Sequence, residues 1–226
     1  MKPPLHIHNI TLQYGQRVIL QDVSLTLHKG ELVYLTGRTG SGKTSLLRAV
    51  YGDVRPVKGE IWVGDSEVSR LPSEKLPFLR RKLGIIFQDF QLLPYRTVYE
   101  NVAFALEVTG WRDRKAIRER VMEVLFQVGL SARKDAYPHE ISGGEQQRTC
   151  IARALVGAPI LLLADEPTGN LDPQVGKEIM ELLHQIARWG TAVLIATHHH
   201  EYINSLPAPA YQLRNQSVTP WPIPST

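Results

Sequence analysis

Gly37-Arg38-Thr39-Gly40-Ser41-Gly42-Lys43-Thr44 comes directly after the apolar run Leu32-Val33-Tyr34-Leu35 and runs into a helix-compatible stretch, residues 43–51. The spacing fits GxxxxGK[ST] in full, and a buried strand before it with a helix after it is the setting in which that pattern binds phosphate. The glycines let the backbone curl so that successive N–H groups converge on phosphate oxygens, and the helix start adds partial positive charge. Lys43 brings a full charge to the β- and γ-phosphates, and Thr44 offers a hydroxyl to Mg2+.

Outward from this loop, strand-like and helix-like stretches alternate. Residues 5–14 and 23–27 alternate apolar with polar side chains, the period of half-buried strands. Residues 59–64 form a short strand between turns, and 83–87 a buried strand leading into Gln88. From about 92 to 157 the character is helical; Ile117, Val121, Val124, Leu125 and Val128 fall at helical spacing, with Gly129 as the stop. Residues 160–164 and 191–196 are parallel-type strands flanking a helix over 173–188, and 211–218 forms a hairpin or edge strand. This order predicts an α/β chain with a mostly parallel sheet, an added antiparallel β layer and an inserted helical subdomain. One domain is expected over 1–226. Its nucleotide-binding core takes 1–91 and 158–218, its helical part 92–157, and a flexible proline-rich tail 219–226.

Composition fits that reading. Of the 226 residues, 43% are hydrophobic and 21% charged, which describes a folded globular chain rather than a disordered one. No apolar run approaches the roughly 20 residues that cross a bilayer, and no basic-then-apolar leader opens the chain, so a membrane role is expected only through a partner. The single cysteine, Cys150, excludes an intramolecular disulfide and fits a core position in a reducing compartment. Lys and Arg number 26 against 22 Asp and Glu, a net charge of +4. Outside Arg80-Arg81-Lys82 and residues 112–120 the basic residues are dispersed, so no nucleic acid is expected as a partner.

Leu161-Leu162-Leu163-Ala164-Asp165-Glu166 puts two acids at the C-terminal end of a buried strand, where ligands bind in open α/β sheets. Asp165 suits Mg2+. Glu166, one residue on, points elsewhere and suits a general base for an attacking water.

Ile141-Ser142-Gly143-Gly144-Glu145-Gln146-Gln147-Arg148 narrows the class. It is a serine and two glycines at a helix start, a second set of donors aimed at an anion. It resembles the LSGGQ signature of the ATP-binding cassette (ABC) ATPases, with Ile for Leu and Glu for the usual Gln. The resemblance covers nearly the whole chain and implies ATP and Mg2+ as cofactors. ATP would be held by Gly37, Arg38, Thr39, Gly40, Ser41, Gly42, Lys43, Thr44 and Ser45, with Tyr14 on the adenine. Thr44, Gln88 and Asp165 would hold the metal, and Glu166, His198, Gln88 and Lys43 would be the catalytic set. Ser142, Gly143, Gly144 and Glu145 would meet the γ-phosphate bound by a second copy, and Asp172, in Asn170-Leu171-Asp172, would link the two sites. A homodimer closing on ATP follows. His198-His199-His200 also invites a metal, but adjacent side chains are expected to diverge, and His199 stands where the family often has Asp.

Residues 78–89, Leu92-Leu93-Pro94-Tyr95-Arg96-Thr97-Val98 and Ala164-Asp165-Glu166-Pro167-Thr168-Gly169-Asn170-Leu171-Asp172 are most similar to the bacterial cell-division (FtsE) branch. Lipoprotein-releasing and macrolide-export ATPases are near relatives and give an exporter alternative. The resemblance implies a four-span membrane partner of the FtsX type, docking near residues 88–104 at the cytoplasmic face of the bacterial inner membrane, with ATP-driven movement controlling cell-wall hydrolysis. Leu92, Leu93, Val98, Val102 and Phe104 either line that groove or pack in the core. A nucleic-acid-associated ABC ATPase would separate Lys43 from Asp165 with long coiled coils, and no sustained heptads do so.

Overall fold

The structure is a computed structural model and describes residues 2–221. Two sheets form it. β1 (Leu5–Tyr14), β2 (Arg17–Leu27), β4 (Lys58–Val63) and β5 (Ser66–Glu67) make an antiparallel sheet in the order β2-β1-β4-β5. The second runs β10-β9-β3-β8-β7-β6, from β3 (Leu32–Thr36), β6 (Leu83–Ile86), β7 (Leu161–Asp165), β8 (Ala192–Thr197), β9 (Ala210–Arg214) and β10 (Ser217–Pro220). All its pairings are parallel except β9 with β10.

The apolar runs of the central strands are buried on both faces, as parallel strands covered on both sides must be. Strand alternation sorts them. Tyr34, Leu162, Ala164, Val193 and Ile195 face a core under the helices. Val33, Leu35, Leu163, Leu194 and Ala196 face a second core closed by α1 (Lys43–Val50) and the antiparallel sheet.

The helical stretch resolves into α3 (Val98–Val108), α4 (Arg114–Gln127) and α5 (Gly143–Leu155). Thr97 and Glu100 form a capping box at the start of α3, and Asp113 caps α4 through Lys115 and Ala116 N–H. Val98 and Val102 are fully buried and so belong to the core, whereas Leu92, Leu93 and Phe104 are half-buried and Tyr95 is 92% exposed. α6 (Pro173–Arg188) covers the sheet with Ile179, Leu183 and Ile186. The short helices α2 (Leu76–Arg80) and α7 (His200–Ser205) had no sequence counterpart, and β2 starts at Arg17 rather than 23. Residues 219–220 end β10, and the Trp221 N–H donates to Ala210 O; the remainder of the expected tail lies outside the described residues. Among the described residues no helix is long and apolar enough to cross a membrane.

Candidate active site

Parallel register brings the C-terminal ends of β3, β7 and β8 together, Thr36 beside Thr197 and Asp165 beside Ala196. The glycine loop, the acid pair and His198 all leave the sheet there. Gly37 is required by close approach, since a Cβ would stand 2.7 Å from Leu213 O. The loop ends at Gly42, which caps α1 at φ 108° and accepts from the Leu46 N–H.

Lys43 is buried, and its ammonium donates to Gly37 O at 2.8 Å while lying 3.3 Å from Glu166 Oε1. The same Oε1 is 2.9 Å from His198 Nδ1, and the His198 N–H donates to Oε2 at 3.3 Å. Glu166 sits at φ +46°, a left-handed conformation that costs a non-glycine residue on the order of 1–3 kcal/mol. Its N–H is tied to Ala196 O at 2.8 Å, which holds the strained carboxylate between Lys43 and His198. Asp165 Oδ1 is buried with no hydrogen-bond partner. Burial holds the Asp165 carboxyl above its ordinary range, with the Thr44 hydroxyl opposing, Glu166 adding and Lys43 opposing.

A cavity of about 380 Å³ opens over these groups. Thr39, Gly40, Gly42, Lys43, Thr44 and Ser45 form its floor, and Gln88, Glu166 and His198 its wall. Arg17 and Ile19 close the β2 side. Sequence reasoning missed these two because it started the strand six residues late; their signal was their place just past Tyr14. Tyr14 pairs with Arg17 across the hairpin and is 43% exposed. Arg38 and Ser41 instead line a separate cavity with Leu213 and Arg214.

Ser142 to Glu145 do not line the Lys43 cavity. Ser142 caps α5 in a box with Glu145: its hydroxyl and N–H donate to Glu145 Oε2 at 2.9 and 2.8 Å. Arg133 Nε holds Glu145 Oε1 at 2.9 Å. The Ser142 N–H and hydroxyl, with Arg133, keep the Glu145 carboxyl below its ordinary range. This turn rests on the start of α6, where Gly144 leaves room for Val175, and Asp172 caps α6 through the Val175 N–H at 3.1 Å.

Side chains tie the turn's helix, and the loop after the acid pair, to the segments that follow β6 and β7. Gln147 Nε2 donates to Pro167 O at 2.7 Å, and Asn170 Nδ2 to Gln88 O at 3.0 Å. Cys150 Sγ and Arg153 both hold Phe90 O. Burial pushes the Cys150 thiol up to about 12, as suits a core residue. The rings of His198 and His199 do not diverge as expected: their centroids are 4.2 Å apart, tilted 33°. Glu166 draws the first ring inward and the short turn before α7 keeps the second beside it. His200 turns away onto Trp221.

A phosphate loop at one strand end, an acid pair at the next and a serine–glycine helix start on the inserted helices are together the layout of an ATP-binding cassette. The chain belongs to the ABC transporter family, which it matches over residues 20–169, and it is an ATP-binding, ATP-hydrolysing subunit of the FtsE-like kind. It is 48% identical to the cell division ATP-binding protein FtsE of Mycobacterium tuberculosis over 202 residues, 88% of this chain and 87% of that one. To FtsE of Escherichia coli it is 47% identical over 184 residues, 81% and 82% of the two chains. Among solved structures, cbiO1 of Clostridium perfringens superposes with a TM-score of 0.89 at 29% identity, covering 97% of this chain and 88% of that one. The cassette MJ0796, solved as a dimer in a post-hydrolysis state bound to ADP and Pi, superposes at 0.84 with 31% identity, covering 98% and 100%.

Proposed function

We propose that this chain pairs with a second copy around two ATP molecules, and that closing and opening of the pair drives a membrane partner of the FtsX type to control cell-wall hydrolysis. The observation that carries the dimer is that the Ser142 turn stands outside the Lys43 cavity of its own chain. A second chain supplies it, as the dimeric relative MJ0796 supports.

Within each site the Lys43 ammonium leaves Glu166 for the β- and γ-phosphates. The freed carboxylate polarises the attacking water, and His198 and Gln88 position it against the γ-phosphate. Tyr14, with Ile19, takes the adenine, and Asp172 links the two sites. The partnerless Asp165 Oδ1 beside Thr44 fits Mg2+, with Gln88 completing the set. When bound, Mg2+ neutralises phosphate charge. The half-buried Leu92, Leu93 and Phe104 and the exposed Tyr95 form the docking surface for the membrane partner at the cytoplasmic face of the inner membrane.

Glu166→Gln keeps the shape of the site but removes the base. It should retain ATP, lose turnover by on the order of 10²–10⁴ and accumulate as a dimer in size-exclusion chromatography with ATP. Turnover at the parental rate would remove Glu166 from the role.

A further inference from the structure

Glu166 and His198, which line the Lys43 cavity, and the neighbouring His199 bring a carboxylate oxygen and two imidazole nitrogens within 4.8 Å of one another. We propose that these three residues form a site for a divalent transition cation of the Zn2+ class, distinct from the Mg2+ ligands Asp165 and Thr44, and that filling it stops hydrolysis. The inhibitory half rests on the proposed role of Glu166; the binding half does not.

Two imidazoles and a carboxylate are a donor set that zinc, cobalt and nickel prefer and magnesium does not. The spacing is already close to coordination. Tetrahedral ligands about 2.0–2.1 Å from one ion stand about 3.3 Å apart, and Glu166 Oε1 and His198 Nδ1, 2.9 Å apart across a hydrogen bond that the ion would replace, need to part by only a few tenths of an ångström. The His199 ring stays against that of His198, with centroids 4.2 Å apart. Behind it, Glu201 Oε1 lies 3.4 Å from His199 Nδ1. A carboxylate on the Nδ1 side of an imidazole is an outer arrangement common to metal-binding histidines.

Entry is open, because the His198 and His199 side chains are 47% and 31% exposed. Three protein ligands with room for water make an exchangeable site rather than a closed structural one. One cation opposes the ion, Lys43, 3.3 Å from Glu166 Oε1, and it keeps Gly37 O at 2.8 Å when the carboxylate is taken. An ion held here occupies both the carboxylate that would polarise water and the imidazole beside it.

The test is a Co2+ titration of the nucleotide-free full chain, followed by the visible absorption of the bound ion. One ion per chain should bind, and His199→Ala should weaken binding by on the order of tenfold or more while leaving Mg-ATP turnover in buffer free of transition metals unchanged. His200→Ala should bind as the parent does. His199→Gln, which keeps a polar side chain, should repeat the loss and guards against a folding defect in the alanine variant. Zn2+ should inhibit the parent at concentrations that His199→Ala tolerates. Equal Co2+ affinity in parent and both His199 variants overturns the site. Weakened Co2+ binding with unchanged Zn2+ inhibition overturns the inhibition. Neither outcome bears on Glu166→Gln, whose readout needs no transition metal.

Discussion

Asp165 and Glu145 are two acids whose environments push them in opposite directions. Burial raises the Asp165 carboxyl, so its ionised form penalises the nucleotide-free fold; that penalty is present above the folded pKa and fades as pH falls through it. Asp165→Asn should therefore raise the thermal midpoint of the nucleotide-free chain at neutral pH, by about 2–4 °C per kcal/mol relieved, while abolishing Mg2+-dependent stabilisation by ATP. Scanning calorimetry with and without Mg-ATP checks both, and a lowered midpoint would contradict the burial argument. Glu145 is held down by Ser142 and Arg133, so its contribution is complete above the ordinary carboxylate range and is lost as pH falls through the depressed value. Glu145→Gln should flatten that acid-side loss in unfolding curves measured across pH. At this scale spacing and chemistry marked Lys43 and the acid pair, the family resemblance marked His198, and the structure brings Lys43, Glu166 and His198 into contact. Sequence reasoning was silent on Arg17 and Ile19, whose placement depends on a hairpin, and it expected His199 to diverge from His198, because the turn that keeps the two rings together has no local pattern.

The end of the segment between Gln88 and α3, residues 93–97, gathers around one side chain. Asn101, fully buried, accepts from the Leu93 N–H at 2.8 Å and donates to the carbonyls of Leu93, Arg96 and Thr97 at 3.1, 2.9 and 3.0 Å. Asn101→Ala would leave several of these backbone groups unpaired, at about 1–3 kcal/mol each where water cannot reach them. The variant should show a lower urea midpoint, and amide exchange should speed up most over residues 92–97. Uniform exchange with an unchanged midpoint would mean the loop holds itself. An asparagine in the first turn of an apolar helix gives no hint of this role, because its partners follow from how the chain doubles back. Elements were legible where they carry their own period or caps, as in α4 and α6. α7 has neither: six residues, no side-chain cap, and a place secured by Tyr202, whose hydroxyl packs where a side chain at Gly176 would stand. Tertiary contact makes that helix, so local pattern could not announce it.

Across the whole molecule, the sheet order sends the phosphate loop, the acids and His198 to one edge, while α3, α4 and α5 carry the Ser142 turn on separate ground. A chain built this way holds two half-sites that its own fold does not bring together, and the proposed two-fold pairing would complete both at once. That arrangement has a mixing test. Lys43→Ala ruins the cradle but keeps the turn; Ser142→Arg keeps the cradle but places a bulky cation in the turn. Each variant alone should be inactive. Mixed in equal amounts, half of the dimers contain one of each, and every such dimer has one complete site of two, so activity should return to about a quarter of the parental rate. Steady-state phosphate release reads the result, and size-exclusion chromatography with ATP confirms that mixed dimers form. If the mixture stays as inactive as its components while mixed dimers are present, the serine of one chain does not act on the nucleotide of the other, because that sharing is the only route by which two broken chains can make an intact site.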